Sequence, residues 1–422
     1  MRRLLADRDA RVLLTGETLS MFGDRALFLV LAVWAKSLTG SSAAAGLVFF
    51  VFAAPSLAAP LAGLLVDRLP RRAVMIATDC FAGSAVLLLL LVHDRGDLWL
   101  IYLVAGLYGA ASSVFSSAQS ALLTVMLPRD LLPDANAAFQ SVREAQRLIA
   151  PLAGAGIYAA VGGGAVAVLD AATFGVSALC LLALRVREQP APPPEHAFLR
   201  ELAAGIRHVV HTLPIRQIVI ATGGALLVVG FSETLLFSVI DQGLHRSPSF
   251  MGVLSSVQGV GAIAGGLTAA AVLRRIGDVR LAGIGILLFA LGDLAFVSSS
   301  LPVVVAGMVV AGVGISWLIV GFGTALQTRT PAHLQGRVFS AADTMVGLPQ
   351  TISIGLGAGL STLVDYRLLV LAMAGGCTVF ALYLLTRARE PADEIVADEV
   401  AGAVGFVPPE PLVEAEAGRA PK

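Results

Sequence analysis

Charge is scarce in this chain of 422 residues: only 14% are Asp, Glu, Lys or Arg, against 57% hydrophobic, and acids and bases balance at 29 each. A stack of ordinary water-soluble domains carries about a quarter charged residues and is excluded by that composition. A net charge of zero gives no electrostatic handle for nucleic acid. Lysine is nearly absent, Lys36 and Lys422 being the only two. Cysteine is rare: Cys80, Cys180 and Cys377 each stand alone in an apolar stretch, with no CxxC spacing and no clustered histidine. That pattern suggests neither a disulfide framework nor a metal site, and the three read as small buried hydrophobes. No nucleophile-base pairing and no phosphate-binding loop is present, so neither an enzyme nor a directly ATP-driven machine is expected, and no cofactor is implied.

What the chain has is length of apolar sequence. Runs fall at roughly 12–35, 43–66, 73–92, 98–126, 136–161, 163–184, 215–240, 250–273, 280–299, 301–326, 337–362 and 366–386. About 20 apolar residues are needed to cross a bilayer as a helix, and lipid leaves the backbone of such a run no other option. The expectation is an all-α membrane protein of twelve transmembrane helices, multi-pass in the cell membrane. The N-terminus, MRRLLADRDARVLL, is basic but lacks a small-residue cleavage site and runs into a full-length span, so it reads as a lead-in rather than a signal peptide. With that end in the cytoplasm, arginines crowd the cytoplasmic connections, while the other side holds only Lys36, Arg95, Arg246 and Arg367. The positive-inside rule then places both termini in the cytoplasm.

The expected organisation is an N-terminal six-helix bundle (1–184), a cytoplasmic linker (185–214), a C-terminal six-helix bundle (215–389) and a disordered acidic tail (390–422). The linker opens proline-rich and continues with Leu199, Leu202, Ile206, Val209 and Leu213 on one helical face, as suits a helix lying in the membrane interface. A fixed period supports the two halves. A shift of about 203 aligns Gly63, Arg71 and Arg72 with Gly266, Arg274 and Arg275, and Gly154-Ala155-Gly156 with Gly357-Ala358-Gly359; a shift of about 209 aligns Phe22, Asp24 and Phe28 with Phe231, Glu233 and Phe237. Two pseudo-symmetric halves related by an axis along the membrane normal place a substrate site between them near the midplane.

The first run carries Glu17, Asp24 and Arg25 inside apolar sequence. An ionised side chain at mid-membrane costs roughly 2.5–3.5 kcal/mol on insertion scales, which makes it a functional candidate. In the plainer alternative the helix starts later, leaving Glu17 at the interface, and Asp24 and Arg25 neutralise each other. Asp24 and its repeat partner Glu233 are candidates for proton coupling or substrate charge. Arg25, Arg143 and Arg147 are candidate counter-ions, although Arg143 and Arg147, one turn apart and next to Glu144, also suit a local ion-pair cluster. Polar and aromatic candidates for the cavity lining are Phe22, Ser113, Phe115, Ser116, Gln119, Phe231, Phe237, Gln258, Ser316, Trp317 and Gln327.

Gly63-Leu64-Leu65-Val66-Asp67-Arg68-Leu69-Pro70-Arg71-Arg72 resembles the loop signature of the major facilitator superfamily, with Pro70 in place of its last glycine. Gly63 permits close helix approach, and Asp67 can pair with an arginine or a helix N-terminus, a latch that breaks when halves rock. The second-half gate loop keeps Gly266, Arg274 and Arg275 but has Ala270 in place of the acid, so the latch reads as one-sided. In span five, Pro151 and Gly154 are similar to the family's antiporter signature and form a candidate hinge. Ser20-Met21-Phe22-Gly23-Asp24, the stretch Leu169-Asp170 to Ala178, and Gly336-Arg337-Val338-Phe339-Ser340 resemble the macrolide-efflux and enterobactin-exporter branch. The fourth span has Tyr102 about where many proton-coupled relatives carry an arginine. The resemblance implies a monomeric secondary transporter working by alternating access, with protons, a small-molecule substrate and the lipid bilayer as its partners. A mainly apolar cavity suits amphipathic solutes of drug or macrolide type, exported against protons. The alternatives are an exporter or importer of one metabolite, such as a siderophore, and a non-transporting receptor or scaffold.

Overall fold

A computed structural model describes residues 4, 6–58, 69–128, 131–186, 198–331 and 334–387. Gly63, Asp67 and Arg68, the proline-rich start of the linker and the acidic tail lie outside the described residues. The elements are helical throughout: α1 (Arg8–Thr39), α2 (Ser42–Ala53), α3 (Arg71–Leu87), α4 (Leu98–Met126), α5 (Leu132–Val161), α6 (Gly163–Ala183), α7 (Phe198–His211), α8 (Leu213–Val229), α9 (Ser232–Ser238), α10 (Phe250–Ile276), α11 (Asp278–Leu294), α12 (Leu301–Thr328), α13 (Gln335–Leu360) and α14 (Tyr366–Arg387). Among the described residues, nine helical stretches are long and apolar enough to cross a membrane, α8 and α9 counting together as one. Of the twelve runs expected, the second, fifth and eleventh are not in that set. The second has only the short α2 described; α5 and α13 span 30 and 26 residues but carry Arg143, Glu144 and Arg147, and Arg337 and Asp343, which lower their hydropathy.

Local chemistry sets the boundaries. Asp7 caps α1 by accepting from the Ala10 backbone N–H at 2.8 Å, and α1 stops at Gly40, whose φ of 71° lies in the left-handed region open to glycine. Gly162 (φ 93°) breaks the chain between α5 and α6 in a similar way.

In lipid the apolar effect does not drive helices together, so close packing must, and small residues allow it. On α11 and α12 the glycines recur every two turns and meet each other: a Cβ on Gly292 would stand 2.5 Å from the Gly307 carbonyl, and one on Gly314 would stand 2.6 Å from that of Gly285. In the first half, α1 packs on α5 and α6, and α3 on α4 and α6; in the second, α10 packs on α12, α11 on α12 and α14, and α8 on α13 and α14. The halves meet where α2 packs on α13 and α9, and where α5 packs on α10. The linker helix α7 does not merely lie at an interface: Val209 is fully buried and Gly205 sits against the Arg337 carbonyl of α13.

The distribution of the core fixes the conformation. At the end holding the start of α1 and the end of α6, Leu13, Met75, Leu122 and Leu181 form one apolar cluster drawn from the first half alone. At the end holding the start of α8 and the end of α14, Ile215, Val338 and Leu384 form another, drawn from the second half alone. Because α7 joins the end of α6 to the start of α8, these clusters share one end of the molecule, called here the termini end. At the far end a single core runs through both halves, from Leu31, Val48 and Phe49 to Leu235, Phe237 and Leu254. The halves are sealed together at the far end, and among the described residues no apolar core joins them at the termini end.

Candidate functional site

Two adjoining cavities share Phe28, Phe52, Ser112 and Ser116 as walls; the larger is lined by both halves and the smaller by the first half alone. The smaller, about 340 Å³, is built on one face of α1, where Glu17, Ser20, Met21, Asp24 and Phe28 recur every three or four residues. Arg25, Tyr108, Phe115, Gln119 and Arg143 complete it. The Tyr108 hydroxyl donates to Asp24 Oδ1 at 2.5 Å, fixing the carboxyl against α4. The Gln119 amide donates to Glu17 Oε2, and Arg143 on α5 is the cation nearest in effect to Glu17. Glu17 is 2% exposed. α1 starts at Arg8, two turns earlier than Glu17, and so places Glu17 inside the helix rather than ahead of it.

The larger cavity, about 590 Å³, has Glu233 on its wall with Ser113, Ser117, Gly230, Ser232, Gln350 and Thr351. Glu233 follows a break in the seventh run: α8 ends at Val229, and α9 begins at Ser232, with Gly230 wedged against Ser353 and the Gln350 carbonyl. Glu233 is exposed to the larger cavity, and Arg147 is the cation that acts on it. The structure thus brings Asp24, Arg25, Arg143, Phe115, Ser116 and Gln119 to one compartment and Glu233 to the next, from helices far apart in sequence.

Other expected residues stand elsewhere. Phe237, the repeat partner of cavity-lining Phe28, is not on the wall: it is 1% exposed in the far-end core, stacked on Phe49 with centroids 6.3 Å apart. Trp317 also lines neither cavity; its indole N–H donates to the Gly265 carbonyl and Thr268 Oγ1, both at 3.1 Å, and Ser316 donates to the Ala262 carbonyl at 2.6 Å, so both clamp α12 to α10. Phe22, Phe231 and Gln258 are half-buried outside both linings, with Phe231 packed under Gly357. Gly154 lies against the Ala26 backbone of α1, while the Pro151 carbonyl abuts Gly252 of α10, so this pair sits where α5 meets both halves. Tyr102 donates to the Ala44 carbonyl at 3.2 Å.

At the termini end, Arg72 ties α3 to α6 by donating to the Leu181 and Leu182 carbonyls at 2.7 Å each, and Arg71 is half-buried beside it. Arg274 and Arg275 end α10 in the open. The close-packing glycine of that loop is Gly265, set against Val313 and Ser316, whereas Gly266 faces empty space. The second half does have an acidic clasp there: Asp278 at the start of α11 takes both guanidinium nitrogens of Arg329 at the end of α12, one of them at 3.0 Å. Ala270 hid it, because the acid comes eight residues later.

Sequence reasoning also missed a clasp at the far end. Lys36, in the last turn of α1, is 5% exposed; its Nζ donates to Asp241 Oδ2 of the other half at 2.8 Å, to the Gly40 carbonyl at 2.9 Å and to Ser42 Oγ at 3.1 Å. Asp241 sits in a π turn, Val239–Gly243, that ends α9. Nearby, Gly46 of α2 lies against Thr234 of α9.

Two helical halves around a polar, acid-bearing cavity, sealed at one end and embedded through long apolar helices, define a membrane transporter. The Major Facilitator Superfamily model matches the chain twice, over residues 13–240 and 218–417, and the protein belongs to that superfamily. It is a multi-pass integral protein of the cell membrane, and its family handles small-molecule substrates within the bilayer. Among known sequences it is similar to the uncharacterized MFS-type transporter YfiS of Bacillus subtilis, 24% identical over 388 residues, covering 89% of this chain and 91% of that one. It is also similar to the multidrug efflux pump Tap of Mycobacterium tuberculosis, 25% identical over 358 residues, covering 79% and 83%. Among solved structures, a bacterial homologue of the iron transporter ferroportin in its inward-facing state superposes with a TM-score of 0.70 at 16% identity, covering 91% of this chain and 99% of that one.

Proposed function

We propose that the protein is a proton-coupled exporter of amphipathic small molecules, working by alternating access across twelve spans with both termini cytoplasmic. The observation that carries this reading is the placement of Asp24 and Glu233: Glu233 stands on the wall of the cavity between the halves and Asp24 on the wall of the adjoining first-half cavity, each has an arginine in electrostatic reach, and the two compartments share four residues. A carboxyl so placed meets one compartment and then the other as the halves rock, and can take a proton from one and release it to the other. With the termini end cytoplasmic, the far-end seal makes this the inward-open form, and the Lys36–Asp241 clasp is the contact that outward opening must break.

The lining supports an amphipathic solute. Phe28, Phe49 and Phe52 gather on the cavity wall, the Phe28 ring centroid 5.0 Å from that of Phe49 and 4.7 Å from that of Phe52, and the same cavity is lined by the α4 serines at 112, 113, 116 and 117. Apolar rings with sparse hydroxyls bind drug-like molecules rather than sugars. The multidrug efflux activity named for Tap favours the same reading. Expression in a host stripped of its own pumps, with retention of dyes, macrolides and siderophores measured with and without a protonophore, tests it. Export of several unrelated dyes, lost with the protonophore and in Asp24→Asn and Glu233→Gln, is the expected result. Export of a single metabolite would select the alternative, and export indifferent to protonophore and both substitutions would overturn proton coupling.

A further inference from the structure

Asp24 takes its hydrogen bond from a residue that the proton cycle has not yet used. The Tyr108 hydroxyl donates to Asp24 Oδ1 at 2.5 Å, and Tyr108 is itself 3% exposed, so its ring has little room to turn. Two aromatic neighbours set where that ring lies. On one side Phe174 of α6 meets it edge to face, with centroids 5.9 Å apart and planes at 89°. On the other, Phe52 of α2 meets it in the same manner, 5.5 Å away at 68°. Edge-to-face pairs of this kind fix orientation as well as bury area.

The two supports differ in what they are tied to. Phe174 is buried within the first half, beside Gly83 of α3. Phe52 stands on the last turn of α2, which gives way after Ala53 to a 3-10 turn, Ala54–Ala58. α2 is also a helix by which the first half touches the second: the Phe50 ring lies against Gly355 of α13, Gly46 against Thr234 of α9, and Phe49 stacks on Phe237. The same short helix sits on α4 to either side of Tyr108, with Val51 against Gly106 and the Phe52 carbonyl against Gly109. Phe52 lines both cavities, its ring centroid 4.7 Å from that of Phe28. A solute in the larger cavity, or a displacement of α2 with the second half, therefore bears on Phe52, and close packing passes the push to Tyr108.

We propose that Tyr108 is the positioning residue of the proton site: Phe52 holds its ring so that the hydroxyl lies on Asp24, and a shift of Phe52 withdraws that bond and changes the hold of Asp24 on its proton. This rests on the reading of Asp24 as a proton carrier and adds the part that tells the carboxyl what happens in the neighbouring cavity. The other groups that face Asp24 are Glu17 and Arg25 of α1 and Arg143 of α5, which line the smaller cavity with it, Asp170 of α6 beside Gly23, and Asp79 of α3 in electrostatic reach. They set the charge around Asp24; the Tyr108 hydroxyl is the group whose position Phe52 controls.

Infrared titration of the full-length protein in lipid nanodiscs follows Asp24 through the carboxyl band missing in Asp24→Asn. Tyr108→Phe removes the hydroxyl and keeps the ring. Phe52→Leu keeps the hydroxyl and removes its support, and Phe52→Met repeats that change should the first not fold. Tyr108→Phe should displace the Asp24 midpoint by about one pH unit, a tenfold change in proton affinity. Phe52→Leu should displace it the same way by less, and the double variant no further than Tyr108→Phe alone, because both act through one bond. Ethidium should displace the wild-type midpoint and leave that of Tyr108→Phe unmoved. A hydroxyl of merely structural role would alter stability and leave the midpoint in place. A midpoint unchanged in Tyr108→Phe overturns the proposal, as does one unchanged in the Phe52 variants, or an ethidium displacement as large in Tyr108→Phe as in wild type. Without ethidium the titration needs no transport: midpoints that move in a protein exporting nothing overturn the exporter reading alone, and export with unmoved midpoints overturns this proposal alone.

Discussion

Asp241→Asn should unlock the far end. Lys36 Nζ has three acceptors, but only Asp241 belongs to the other half; Gly40 and Ser42 lie on the turn just after α1. A hydrogen bond to a charged group contributes about 1.5–3 kcal/mol, and an exposed ion pair about 0.2–1 kcal/mol. Here one partner is 5% exposed and the other 53%, so water screens one side of the pair and the expected contribution is about 1–2 kcal/mol. That converts to a roughly 5–30-fold shift from far-end-closed toward far-end-open molecules. Spin labels on Ala160→Cys and Gln242→Cys, both exposed at the far end on opposite halves, report the populations by electron paramagnetic distance measurement once Cys80, Cys180 and Cys377 are replaced. Asp241→Asn and Lys36→Met should each enlarge the long-distance population. The double variant should fall short of the sum, because removing Lys36 also removes the buried ammonium that Asp241→Asn leaves unpaired. Superimposable distance distributions in both single variants would refute the latch and with it the reading of the sealed end.

Three further outcomes follow from packing and pairing. Gly154→Ala would put a Cβ 2.8 Å from the Ala26 carbonyl and force α1 and α5 apart, costing about 1–3 kcal/mol, whereas Gly156→Ala meets nothing and should be neutral or stabilise by up to about 1 kcal/mol; thermal unfolding in detergent compares them. Arg329→Gln should lower stability by about 1–3 kcal/mol and Asp278→Asn by a similar amount, with a non-additive double variant, since the two form one two-pronged pair 24% and 13% exposed. Trp317→Phe should cost about 1 kcal/mol through its lost bonds to α10 and leave dye selectivity unchanged, because the ring lines neither cavity; a selectivity change in the retention panel would return Trp317 to the wall.

The sequence made the helices readable because lipid imposes one backbone solution on long apolar runs, and it made Asp24 and Glu233 readable because an acid in such a run stands out. Their faces were also within reach: residues 17, 20, 21, 24 and 28 recur at helical spacing, and the cavity lies along that line. What it hid were partnerships across the fold. Lys36 looked like a stray loop charge because Asp241 is 205 residues away, and the Asp278–Arg329 pair spans 51. Phe28 and Phe237 show the limit of arguing from a repeat: equivalent by alignment, one lines the cavity and the other fills the far-end core. Trp317 and Ser316 misled in a similar way, since polar atoms on an apolar helix bind a neighbouring backbone as readily as a solute.

In the proposed cycle the cavity carboxyls exchange protons as a solute crosses. Purified protein in vesicles enclosing a pH-sensitive dye, challenged with ethidium across an imposed pH gradient, measures it directly. Wild type should show proton movement that depends on ethidium, and Asp24→Asn together with Glu233→Gln should abolish that movement while ethidium still binds. Undiminished ethidium-dependent proton flux in the double variant would contradict the account.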